Sequence, residues 1–157
     1  MGSGKSTIGK ELATQLNFTF IETDSCIEQQ ENKTISEMFA TNGEKYFREK
    51  EKEFLLHLQL VDECVIATGG GMPCFGNNME LMNKLGTTIW LEVEENILVE
   101  RLEKGKQHRP LLAGSENLRE SIHELLESRK RFYQKAKYQV KNPDAKKILE
   151  LILNSNS

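Results

Sequence analysis

The 157-residue chain is one domain's worth of sequence, long enough to bury a substantial core. Its 21 basic and 24 acidic residues leave a net charge of −3, which excludes a global attraction to nucleic acid or to an anionic membrane, so an anionic ligand must be held by a local basic cluster. Mean hydropathy is −0.54, no apolar run approaches the roughly 20 residues of a membrane span, and Cys26, Cys64 and Cys74 stand in no metal-ligand spacing, so a reduced cytoplasm is the expected home.

The chain opens on Gly2-Ser3-Gly4-Lys5-Ser6-Thr7, which reads as the back half of a phosphate-binding loop. Glycines let successive backbone N–H groups turn inward around an anion, and the positive end of the following helix adds to that field. Lys5 is placed to reach β- and γ-phosphates, and the Ser6 hydroxyl to ligate Mg²⁺. The full motif has an earlier glycine and a strand leading into it, and neither precedes Gly2 here. Ile8, Leu12, Ala13 and Leu16 recur at helical spacing, predicting a helix over about 7–16 that ends at Asn17. A strand over about 18–21 follows and delivers Glu22 and Asp24 at its C-terminal end, the edge of an open parallel sheet where ligands bind.

Helical stretches are expected over 26–30 and 36–39, then a break at Asn42-Gly43 and a long helix over about 44–60 with Phe47, Phe54, Leu55 and Leu58 on its buried side. Its charges read mostly as an exposed face, with Arg48 the one candidate for a ligand contact. A buried strand over 64–67 runs into Thr68-Gly69-Gly70-Gly71, either a hinge or a place where backbone comes closer to a substrate than a Cβ would allow. After a loop at 72–76, Asn77 or Asn78 caps a helix that stops at Gly86, and a strand over 87–92 carries the lone Trp90, read as core. A helix over 95–103 leads into a basic, glycine-containing loop with His108 and Arg109, expected to act as a mobile lid over about 104–115 that brings Arg109 to the γ-phosphate. The rest is a long helix over 118–136 with the basic cluster Arg129-Lys130-Arg131, a short strand over 138–140 and a closing helix over 145–153. Strands alternating with helices define an α/β fold, a parallel sheet with helices on both faces.

Taken together, GSGKST, FIETD, ISEMFATNGEKYFREKE, ATGGG, RPLLAG and ESRKRFY, in this order and spacing, resemble the shikimate kinases, small P-loop kinases of the nucleoside-monophosphate-kinase type. The resemblance spans the whole chain as a single domain, 1–157, with a substrate-binding region over about 24–60. It implies a three-layer fold with strand order 2-3-1-4-5, of which the first strand is absent from this chain. It also implies ATP-dependent phosphorylation of the shikimate 3-hydroxyl by a cytoplasmic monomer that uses Mg²⁺ and binds neither nucleic acid nor membrane.

Carried over by position, the pattern assigns the substrate hydroxyls and the base role to Asp24, the substrate carboxylate to Arg48 and Arg129, and a substrate contact to Gly70. ATP falls to Gly2, Ser3, Gly4, Lys5, Ser6, Thr7, Arg101 (near adenine) and Arg109, with Lys5, Asp24 and Arg109 carrying catalysis. The metal falls to Ser6 and, through water, Glu22, where the family usually has Asp. A gluconate-type P-loop sugar kinase is the nearest rival. A nucleotide-binding pseudoenzyme or non-functional fragment is the alternative that the missing strand raises.

Overall fold

The computed structural model describes residues 2–58, 62–104 and 117–155. The expected lid, with His108 and Arg109, lies outside them apart from its first residue. The elements run α1 (Lys5–Leu16), β1 (Thr19–Glu22), α2 (Thr23–Glu31), α3 (Ile35–His57), β2 (Cys64–Ala67), a 3₁₀ turn (Met72–Cys74), α4 (Asn78–Leu85), β3 (Ile89–Glu92), α5 (Glu95–Lys104), α6 (Leu118–Tyr133), β4 (Tyr138–Lys141) and α7 (Ala145–Ser155).

Local chemistry explains most of these boundaries. Gly4, at φ 88°, turns the chain into α1, and Asn17, at φ 57°, supplies the left-handed residue that closes it. A capping box starts α3: the Thr34 side chain accepts from the Glu37 amide, and the Glu37 carboxylate accepts from the Thr34 amide. The break expected at Asn42-Gly43 is present: α3 is two helical stretches joined across a kink at Gly43, whose φ of 82° and ψ of 168° are non-helical. The helix expected from residue 26 begins at Thr23, so Asp24 lies in the first turn of α2 rather than on the strand, where an acidic side chain complements the helix dipole. Asn77 precedes α4 without a side-chain cap; Asn78 is turned fully inward and donates to the Met72 carbonyl at 3.0 Å, holding the 3₁₀ turn.

β1 pairs with β2 in parallel, Glu22 opposite Ala67, and β3 pairs with β4 in parallel, Glu92 opposite Lys141. Among the described residues the two pairs are separate two-stranded sheets. The order 2-3-1-4-5 without its first strand predicts this division. Between them lies a cavity of about 640 Å³ whose walls include Val65, Ala67, Ile89, Leu91, Leu12 and Ile148. One hydrophobic cluster joins Ile27, Met38, Phe47, Leu55 and Met72 on the α2–α3 side; a second joins Leu12, Ala145 and Ile148, with Val65, Ile89, Leu91 and Val140 against it. α1 lies so close to β1 that a Cβ on Gly9 would come within 2.6 Å of the Phe20 ring.

Candidate active site

The phosphate loop and the glycine loop after β2 meet across the C-terminal ends of the strands. Gly2 (φ 65°) and Gly4 (φ 88°) set the turn of the first loop, and α1 begins at Lys5 with its N-terminal amides facing that turn. The Ser6 hydroxyl donates a short hydrogen bond to Glu22 Oε1. Arg101 Nη1 donates to the Gly2 carbonyl at 2.8 Å, so this arginine reaches the phosphate loop from α5.

Opposite, the glycine loop is shaped by the charges packed onto it. Gly69 N–H donates to the hydroxyl of Thr23, itself wholly buried, at 3.0 Å, which ties the start of α2 to the loop. A Cβ on Gly69 would meet Asp24 Oδ1 at 2.6 Å and Glu51 Oε1 at 2.9 Å, and one on Gly71 would overlap the Arg48 guanidinium. These two glycines therefore make room for two acids and an arginine. Arg48 is 7% exposed and its fork is engaged: Nη1 donates to Glu51 at 2.6 Å, Nε and Nη2 to Glu44 at 3.1 and 2.9 Å. Burial works against its charge, but the two carboxylates outweigh that and raise its pKa above the ordinary value.

Glu51 is 0% exposed, and burial pushes its carboxyl up to about 7 although Arg48 pulls the other way. That position was expected on the exposed face of its helix. The signal for the correction is its spacing, because Phe47, Glu51 and Leu55 recur every four residues on one stripe. Similarly, of the basic cluster on α6 only Arg129, 8% exposed, turns inward, while Lys130 and Arg131 are exposed. Arg129 lines the same cavity as Lys5 and Gly70 and acts electrostatically on Glu51 and Cys74.

The structure thus gathers Asp24, Arg48, Gly70 and Arg129 on one side and Gly2–Thr7, Glu22 and Arg101 on the other. It adds Glu51, Glu44, Thr23 and the spacing roles of Gly69 and Gly71. Ser6 and Glu22 supply two hard oxygen donors, which fits Mg²⁺, an ion held by few protein ligands with substrate phosphates and water completing its shell.

A loop of inward amides with a lysine at a helix N-terminus, facing two buried arginines and an acid, defines a phosphate-loop kinase acting on a small anionic acceptor. The comparisons carry this further: the shikimate kinase family model matches residues 1–155, and the chain belongs to the shikimate kinase family. It is 46% identical over 140 residues to a shikimate kinase of Bacteroides fragilis, covering 88% of this chain and 78% of that protein. It is also 46% identical over 151 residues to one of Parabacteroides distasonis, covering 95% and 86%. A crystal structure of the shikimate kinase from Bacteroides thetaiotaomicron superposes with a TM-score of 0.90 at 40% identity, over 97% of this chain and 93% of that one. The shikimate kinase from Acinetobacter baumannii in complex with shikimate gives 0.92 at 33% identity, over 99% and 89%.

Proposed function

We propose that this chain transfers the γ-phosphoryl group of ATP to the 3-hydroxyl of shikimate, a step of aromatic amino-acid biosynthesis, as a cytoplasmic monomer. The observation that carries the reading is the pair of buried guanidiniums, Arg48 and Arg129, gathered with Asp24 around the Gly69–Gly71 loop. Forked donors match a planar carboxylate, and an adjacent carboxylate suits hydroxyl groups. A gluconate-type acceptor shares the carboxylate; membership of the shikimate kinase family favours the cyclic diol.

In this reading Arg48 and Arg129 grip the acceptor's carboxylate, the Gly70 backbone touches its ring, and Asp24 holds the reacting hydroxyl and takes its proton. Phosphoryl transfer needs positioning and charge neutralisation rather than covalent chemistry. The amides of Gly2–Thr7 and Lys5 provide both for the β- and γ-phosphates, and Arg101 flanks the nucleotide. Ser6 and Glu22 would hold Mg²⁺, which when bound neutralises the developing phosphate charge. From the sequence alone Arg109 is assigned to the γ-phosphate, on a lid over about 104–115, and residues 24–60 to the acceptor region.

The test is coupled ADP release with shikimate and with gluconate, repeated for Arg129→Ala, Asp24→Asn and Glu22→Gln. Shikimate alone should support turnover, and Arg129→Ala should weaken shikimate affinity about tenfold to a hundredfold while leaving ATP affinity unchanged, as expected for loss of a charged hydrogen bond. Asp24→Asn should lose far more rate than Glu22→Gln. Turnover with gluconate, or equal losses in the two acid variants, would overturn the acceptor or the base assignment respectively.

A further inference from the structure

Tyr133 closes α6, one turn beyond Arg129, and the functional reading gives it nothing to do. Its hydroxyl donates to the Gly70 carbonyl at 2.6 Å, and the Arg129 guanidinium acts electrostatically on the same phenol. A phenol has one proton. With that proton on Gly70, the oxygen turns only lone pairs toward its other neighbours. The ring is held independently by packing, tilted 45° against Trp90 with centroids 5.9 Å apart. The Gly70 carbonyl is otherwise approached by the Cys74 thiol at 3.8 Å, a weak contact.

What this anchors is the part of the loop with least stiffness of its own. The Gly70 carbonyl and the Gly71 N–H belong to one rigid peptide plane, so fixing the first orients the second. With no Cβ on either side, a Gly-Gly peptide rotates more freely than any other, and nothing but its contacts keeps one orientation. The opposite face of Gly71 lies against Arg48. Tyr133 therefore sits where one hydroxyl sets the Gly70–Gly71 plane, on the same helix as Arg129 and one turn beyond it.

We propose that Tyr133 is a positioning residue for the acceptor, preorganising the Gly70–Gly71 peptide without touching the reacting atoms. The proposal rests on the shikimate reading above. The test is Tyr133→Phe, which keeps the ring against Trp90 and removes only the hydroxyl. The expected result is a shikimate KM raised about fivefold to thirtyfold, the effect of losing one or two kcal/mol of hydrogen bonding, with kcat and the ATP KM within about twofold of the parent. Tm and Trp90 fluorescence should stay unchanged, and the amides of Gly70 and Gly71 should exchange faster with solvent. An unchanged shikimate KM, unchanged exchange at these two amides, or a parallel rise in both KM values with a lowered Tm would each overturn it. If the parent chain released no ADP with shikimate the functional reading would fall separately, and the exchange comparison would still decide whether Tyr133 holds the loop.

Discussion

Around Gly69–Gly71, charge is matched to charge inside a packed shell: Arg48 against Glu44 and Glu51, Tyr133 against Gly70, Thr23 against Gly69. Around Gly2–Thr7, Ser6 is tied to Glu22 and Arg101 to Gly2, and the loop adjoins the cavity between β2 and β3. The acceptor side is organised by hydrogen bonds that its own helices and the 69–71 loop complete among themselves. The phosphate side depends on a sheet whose two halves, among the described residues, are not joined. On the proposed reading, selectivity for an acceptor and stability of the phosphate loop reside in different parts of the molecule, and the two should be separable by mutation.

The strongest separation should come from Lys5→Ala, expected to lower kcat by a factor of about 10² to 10³, the usual cost of removing a group that stabilises developing charge, with shikimate affinity by calorimetry unchanged. Loss of shikimate binding in this variant would show the two sides to be coupled. Next in size is the effect of filling the cavity. Joining about ten residues of apolar strand ending in Gly-x ahead of Met1 would pair the inner edges of β2 and β3 and bury several large side chains. The extended chain is expected to melt at least about 10 °C higher than the parent and to turn over ATP faster, since several hydrogen bonds and buried side chains at about 1 to 3 kcal/mol each are gained. Equal melting and turnover in the two forms would mean that the sheet tolerates the opening.

Smaller and confined to the acceptor side, Gly71→Ala should raise the shikimate KM about tenfold by displacing the Arg48 guanidinium from two of its hydrogen bonds, with the ATP KM unaffected. The smallest effect is a pH dependence. Glu51 binds a proton more tightly in the folded chain (about 7) than in the unfolded one, where a glutamate has its ordinary value of 4.5. Between those values the folded state carries more protons, so this group makes Tm fall as pH rises from about 4.5 to about 7 and adds no slope above. Glu51→Gln should flatten the Tm profile in that window; an unaltered profile would show that Glu51 is ionised throughout.

Much of this was legible from residues alone. The four described strands fall where apolar runs end in Glu22, Ala67, Glu92 and Lys141, and Asn17 closes α1 as its identity predicts. Arg48 and Arg129 were singled out by pattern, and the structure brings them to one loop. What pattern could not convey was the reason for glycine at positions 69 and 71, because the atoms that exclude a Cβ there come from α2 and α3, elements distant in the chain. Glu51 was obscured by charged neighbours, although its four-residue spacing from Phe47 and Leu55 placed it on the buried stripe. Tyr133 carries no signal of its own in the sequence, because periodicity reports on its ring and not on its one polar oxygen.

The bond from Ser6 to Glu22 has a consequence for which kinds of ligand the phosphate loop admits. A serine hydroxyl owns a single hydrogen, and here it is directed at the carboxylate, leaving only lone pairs facing elsewhere. An oxygen so oriented repels electron-rich groups and welcomes electron-poor ones, so at this one point within a ring of amide donors the loop presents the opposite polarity. Anions are steered toward the backbone and cations toward Ser6, and a nucleotide arriving with its counter-ion meets a surface already sorted by sign.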